Sequence, residues 1–165
     1  MSSNVTAEVK VALPRATVWE GLRDLTRAQL YVPGVTGIEI TTPMREGIGA
    51  SRRVFQKSGQ PVDETVVAWT EGQGFRLRLH NGEEPPAPFA EAWFKYDIAD
   101  SGPDGTLLRC TLEYTLPWGV VGRALDLLLF RSVAGGRMRA VAAAFKRHYE
   151  TGEVTNTAYG GLVPA

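Results

Sequence analysis

The sequence predicts an α+β domain in which a seven-stranded, curved antiparallel sheet wraps around a long C-terminal helix. Residues 37–116 consist of short runs of alternating apolar and polar side chains broken by turn residues, which is typical of an antiparallel meander. Another alternating run lies near the N-terminus. From Pro117 onward the apolar residues recur at helical spacing, and no further proline occurs before Pro164.

The first strand and two short helices are predicted from residues 5–31. Residues 5–12 alternate between apolar and polar side chains, which is the period of a half-buried strand. Pro14 fits the first turn of a helix that runs to about Leu25. A second helix spans Arg27 to Tyr31, because Pro33-Gly34 ends any continuation.

Six more strands are predicted between the short helices and the terminal helix. The last two have the clearest alternation and are joined by the turn-forming residues 101–105. Their approximate spans are Gly37–Thr42, Ala50–Gln56, Val62–Thr70, Gly74–His80, Phe89–Ala99 and Thr106–Leu116.

The terminal helix is predicted to continue to about Glu150, with Gly135-Gly136 as its weak point. The half before this pair is apolar nearly all round, so several surfaces are expected to bury it, and the half after it is amphipathic. Residues 151–165 show no periodicity and are predicted to be a poorly ordered tail. The domain is therefore expected to occupy residues 1–150.

Composition excludes some classes of function. The 165 residues carry 18 basic and 18 acidic side chains, so no net positive field favours nucleic acid. The sequence shows neither a signal peptide nor an integral membrane segment, and we expect a cytoplasmic protein. Cys110 is the single cysteine, which excludes an intrachain disulfide.

Metal or cofactor chemistry is not expected from this sequence. His80, His148 and Cys110 do not form a zinc-binding motif. Residues 47–52 lack the third glycine of a dinucleotide loop and continue as a strand. Cys110 falls on the apolar side of its strand, which favours a small buried hydrophobe over a reactive thiolate.

Four local motifs, besides the order of the elements, are informative about the family. They are Ala12-Leu13-Pro14 followed by Val18-Trp19, Leu22 and Asp24, then Tyr31-Val32-Pro33-Gly34-Val35, Gly47-Ile48-Gly49-Ala50, and Phe145-Lys146-Arg147-His148-Tyr149-Glu150. These motifs and the element order resemble the START-like (SRPBCC) superfamily, which includes polyketide cyclase/dehydrase-like and lipid-transport proteins. The resemblance implies a helix-grip fold with a cavity for an apolar small molecule between the concave sheet and the terminal helix.

One charged pair is predicted to face this cavity. If Ser58-Gly59 forms a two-residue hairpin loop, Arg53 pairs with Glu64 on the more apolar face of the two strands. A bulge or a longer loop would turn Arg52 and Asp63 inward instead. An ordinary, partly solvated pair near a hairpin is the interpretation favoured over a ligand anchor, because such pairs are common and weak.

The first functional hypothesis is a binding or carrier domain for an apolar lipid, polyketide or aromatic molecule. The second is a cyclase- or dehydratase-like enzyme in which Arg53, Glu64 or Tyr96 moves protons. The third is a partner-binding module, and the terminal helix also offers a possible weak membrane-surface contact or homodimer contact. The predicted site residues are Arg53, Phe55, Glu64, Leu77, Phe94, Tyr96, Leu112, Tyr114, Leu128 and Ser132.

Overall fold

A computed structural model describes residues 2–57 and 59–156. Its strands form a seven-stranded antiparallel sheet in the order β1-β7-β6-β5-β4-β3-β2. Each strand pairs with its neighbour in sequence except β1, which pairs with β7. The strands are β1 (Ser3–Val11), β2 (Val35–Ile40), β3 (Ser51–Gln56), β4 (Val62–Thr70), β5 (Gly74–His80), β6 (Glu91–Asp100) and β7 (Thr106–Thr115).

Helices cover one side of the sheet and confirm the predicted fold class. Two short helices, α1 (Arg15–Leu22) and α2 (Ala28–Tyr31), connect β1 to β2. The terminal helix consists of α3 (Gly119–Leu125), a π turn (Asp126–Phe130) and α4 (Arg131–Thr151). No helix in the described residues is both long enough and apolar enough to cross a bilayer.

The register between β3 and β4 differs by one residue from the predicted one. Arg52 pairs with Glu64 and Arg53 pairs with Asp63, so the prediction that Arg53 and Glu64 share a face is wrong. Residues 57–61 connect the strands, and Ser58 of the predicted two-residue loop lies outside the described residues. The longer connection reverses which residues of β3 face the interior.

The π turn keeps the buried side chains of the terminal helix on one face. Positions spaced four apart are buried or half-buried along this helix. In a regular α-helix, a residue four positions further along the chain lies about 40° further around the helix axis. The wider π turn cancels much of the drift, so one stripe of the helix faces the sheet. The stripe consists of Gly122, Asp126, Phe130, Ala134 and Met138.

The apolar first half of the terminal helix is not buried on several sides as predicted. Leu128 is 75% exposed and Ser132 is also exposed, because the sheet covers only one face of this segment. Gly135 and Gly136 lie inside α4 and do not interrupt it. A Cβ on Gly135 would lie 3.7 Å from Val5 Cγ1, which shows how closely the helix approaches β1.

Two residues of the segment predicted to be a poorly ordered tail, Thr155 and Asn156, pack against the domain. The Thr155 amide donates a hydrogen bond to the Leu30 carbonyl at 2.8 Å, and its hydroxyl donates to the Ala144 carbonyl at 2.8 Å. Because these contacts are hydrogen bonds, they do not require a periodic pattern of apolar residues, and the sequence pattern did not predict them. Residues 157–165 of the predicted tail lie outside the described residues.

Candidate functional site

A cavity of about 380 Å³ lies between the sheet and the terminal helix. Strands β2 to β7, helix α2 and the loop before β6 contribute to its wall, and the terminal helix covers it. Most lining side chains are apolar, including Val54, Leu79, Phe89, Phe94 and Met138. Three of the lining residues are exposed, Ala87 in that loop and Val133 and Arg137 on α4.

The polar centre of the cavity wall is an ion pair between β3 and β4. Arg52 Nε and Nη2 lie 2.7 Å and 2.6 Å from Glu64 Oε2, and Arg52 Nη1 donates to the Leu25 carbonyl at 2.5 Å. The two side chains are 5% and 15% exposed. Burial acts to lower the pKa of Arg52, but Glu64 and the nearby phenols outweigh it and the pKa is raised. The guanidinium therefore stays charged.

The Glu64 carboxylate has one oxygen that Arg52 does not occupy. Both Arg52 contacts reach Oε2, and Oε1 has no hydrogen-bond partner among the described residues. Glu64 also lines the cavity. A carboxylate oxygen in a mostly apolar cavity is a strong acceptor for a donor group that enters it.

A phenol and a thiol lie close to this pair. Tyr96 lines the cavity; its burial raises its pKa far above the usual range, Cys110 adds to the rise, and Arg52 acts in the opposite direction. Burial likewise raises the pKa of the Cys110 thiol, as expected for a buried hydrophobe. Both groups remain protonated at neutral pH, so Tyr96 can donate a hydrogen bond.

The structure brings four of the ten predicted residues into the cavity wall and leaves six outside it. Glu64, Phe94, Tyr96 and Leu112 line the cavity. The other six lie elsewhere for three different reasons. Arg53 and Phe55 face outward because of the register. Leu77 and Tyr114 are buried core residues that pack beside residues of the wall without lining the cavity. Leu128 and Ser132 lie on the exposed side of the terminal helix.

Tyr114 has a separate structural role beneath the π turn. Its hydroxyl donates to the buried carboxylate of Asp126, which also accepts a hydrogen bond from Ser3 Oγ at 2.5 Å. Burial, followed by the contact with Asp126, raises the pKa of Tyr114. These contacts attach the terminal helix to β1 and β7 rather than to a ligand.

Sequence reasoning missed several residues of the cavity wall. Arg52 was assigned to the outer face because the assumed two-residue loop set the register of β3 and β4. Phe89 and Phe130 come from a loop and from the π turn, where periodicity gives no guidance. No three metal-ligating side chains converge within residues 2–57 and 59–156.

Known proteins share this fold and place the chain in a family. Residues 2–150 match the family described as polyketide cyclase/dehydrase and lipid transport. No curated protein is similar enough to count as a relative. Among solved structures, a START superfamily protein from Mycobacterium smegmatis is 22% identical with a TM-score of 0.68, covering 89% of this chain and 97% of its own.

Two further solved structures show the same architecture. A protein from Thermobifida fusca is 20% identical with a TM-score of 0.69, covering 88% of this chain and 92% of its own. Norcoclaurine synthase from Thalictrum flavum, in complex with dopamine and hydroxybenzaldehyde, is 14% identical with a TM-score of 0.66, covering 89% of this chain and 86% of its own. At these identities the likeness concerns the fold alone.

Proposed function

This chain belongs to the polyketide cyclase/dehydrase and lipid transport family, and on that premise we propose that it binds one apolar small molecule with a hydrogen-bond-donating end. The single observation that carries the proposal is the Arg52–Glu64 ion pair in the wall of an otherwise apolar cavity. A hydroxyl, a phenol or a protonated amine fits this acceptor.

The size and lining of the cavity support a small ligand. Small-molecule pockets commonly measure about 300 to 1,000 Å³ and combine apolar walls with few polar groups, and the cavity of about 380 Å³ lies near the lower limit. Phe94 and Leu112 form part of the apolar wall. A compact aromatic or terpenoid-sized molecule therefore fits better than a two-chain lipid.

The polar end of the ligand is expected to bind Glu64 Oε1. Arg52 holds the other carboxylate oxygen and balances its negative charge, so the carboxylate is tolerated in a mostly apolar wall. Tyr96 adds a donor to the same wall. A ligand that contributes only acceptors would leave Oε1 unpaired, which disfavours its binding.

We expect naphthol to bind more tightly than its methyl ether, by about tenfold or more, because loss of a hydrogen bond to a buried charged group costs at least about 1.4 kcal/mol. Isothermal titration calorimetry measures both affinities. The double variant Arg52→Met with Glu64→Leu should lose this preference. The matched pair Arg53→Met with Asp63→Leu, on the outer face, should keep it. Equal binding of the two compounds by the unaltered protein would contradict the proposed polar anchor.

A second candidate function is catalysis in the same cavity, and the free oxygen of Glu64 favours it. A carboxylate close to a protonated phenol supplies an acceptor and a donor of protons, as a cyclase or dehydratase requires. Molecules that co-purify with the protein can be extracted into organic solvent, identified by mass spectrometry and incubated with fresh protein. A carrier returns them unchanged, whereas an enzyme converts them and Glu64→Gln slows the conversion.

A further inference from the structure

The first half of the terminal helix, residues 119–133, exposes a large apolar surface to solvent. Six aliphatic side chains are between 60% and 83% exposed, and Trp118 at the start of the helix is 54% exposed. Contiguous apolar surface of this kind marks an interaction site in most proteins. The six residues, here called the apolar patch, are Val120, Val121, Leu127, Leu128, Leu129 and Val133.

Every exposed charge in residues 118–149, the segment that carries the apolar patch, is positive. Residues 118–149 contain one carboxylate, Asp126, and it is buried beneath the helix against Ser3 and Tyr114. Five arginines of the same segment are exposed, and four of them form no salt bridge with a described residue, whereas Arg147 pairs with Glu153. The four are Arg123, Arg131, Arg137 and Arg139.

We propose that the apolar patch and its flanking arginines dock the protein on an anionic lipid bilayer. An interfacial helix inserts apolar side chains into the boundary between headgroups and acyl chains while its arginines bind lipid phosphates. Trp118 provides the aromatic ring that favours this depth. The chain as a whole has no net charge, so the attraction comes from this one local surface.

A bilayer explains the charges better than a second copy of the chain does. In a two-fold dimer the same patch meets itself, which would bring Arg123 and Arg131 of one copy close to those of the other. Like charges placed together at an interface are unfavourable. Lipid phosphates instead neutralise all of them.

The cavity and this docking surface share a residue. Val133 belongs to the apolar patch and also lines the cavity, together with exposed Arg137. A docked molecule would therefore hold this side of the cavity next to the lipid, so that an apolar ligand passes between bilayer and cavity with little exposure to water. This last consequence rests on the proposed ligand-binding function, whereas the docking itself does not.

Vesicle co-sedimentation tests the docking. We expect the protein to sediment with vesicles of phosphatidylcholine and phosphatidylglycerol in equal amounts, and much less with phosphatidylcholine alone. Val121→Glu should lower the bound fraction about tenfold or more, because it replaces a valine that the bilayer would bury with a charged side chain. Arg123→Gln and Arg131→Gln should each lower it about fivefold. Added salt should also weaken binding.

Val67→Glu is the matched control, because Val67 is exposed on the outer face of β4. It should sediment like the unaltered protein, and both variants should retain the thermal transition. Three results would overturn the docking. In the first, the unaltered protein sediments with neither vesicle. In the second, Val121→Glu and Val67→Glu lower the bound fraction equally. In the third, the protein binds no vesicle but forms a concentration-dependent dimer that Val121→Glu dissociates. Naphthol binding measured without vesicles reports separately on the cavity.

Discussion

Arg52→Met is expected to lower the free energy of unfolding by about 3 to 5 kcal/mol, the usual cost of breaking one side of a buried ion pair. The variant leaves Glu64 charged and almost fully buried, and it also removes the donor to the Leu25 carbonyl. Urea denaturation followed by circular dichroism measures the loss.

The double variant Arg52→Met with Glu64→Leu is expected to recover most of that stability, because no unpaired charge remains. Arg53→Met is the matched control, since Arg53 contacts Asp63 at 2.8 Å on the outer face with 47% of its side chain exposed. Its denaturation midpoint should stay close to that of the unaltered protein. A larger loss for Arg53→Met than for Arg52→Met would contradict the register.

Phe145→Ala is expected to destabilise the domain by about 3 to 5 kcal/mol, as large-to-small changes of buried aromatic residues do. The Phe145 ring is fully buried, stacks on Tyr149 with ring centroids 4.0 Å apart and contacts Tyr31 edge-on at 4.9 Å. It joins the terminal helix to α2, so its loss should also loosen the cavity wall.

Leu128→Ala, on the same terminal helix, should change stability by less than about 0.5 kcal/mol, as is normal for surface positions. Leu128 is 75% exposed. The contrast between these two variants, measured by the same denaturation experiment, tests which side of the helix is covered. A cost at Leu128 similar to that at Phe145 would show that the first half of the helix is buried after all.

The sheet could be predicted closely because its strands are amphipathic. Strands β4 and β5 have the bounds predicted from alternation, and β6 and β7 differ by only one or two residues. Alternation reports burial directly in a sheet with one covered face. The inward positions Phe94, Tyr96 and Leu112 were therefore found correctly.

Register was harder to predict because it depends on one connection. Arg52-Arg53 and Asp63-Glu64 are adjacent charged pairs, so a one-residue shift exchanges the inner and outer residues without changing the pattern. A three-residue loop over 57–59 would have given the Arg52–Glu64 pair that the structure contains. Such loops commonly place glycine at their third position, as Gly59 does here.

The terminal helix was misread because apolar composition does not specify a buried environment. The run 127–129 is as apolar as a core segment, yet only the residues spaced four apart on the sheet side are covered. A π turn inside a helix has no recognised signature in a single sequence. Leu127, Leu128 and Leu129 are exposed and belong to the surface that we propose docks on a bilayer.

The measurement that tests the central claim most directly is naphthol binding to Leu112→Trp by isothermal titration calorimetry. Leu112 lies in the cavity wall and pairs with Phe94 on the neighbouring strand. The larger tryptophan ring should therefore fill the cavity rather than overpack a solid core, where strain costs about 1 to 3 kcal/mol. We predict that the affinity falls about tenfold or more while the thermal transition is retained. Leu128→Trp, the same change outside the cavity, should bind as the unaltered protein does. Unchanged naphthol affinity in a folded Leu112→Trp variant would contradict the account.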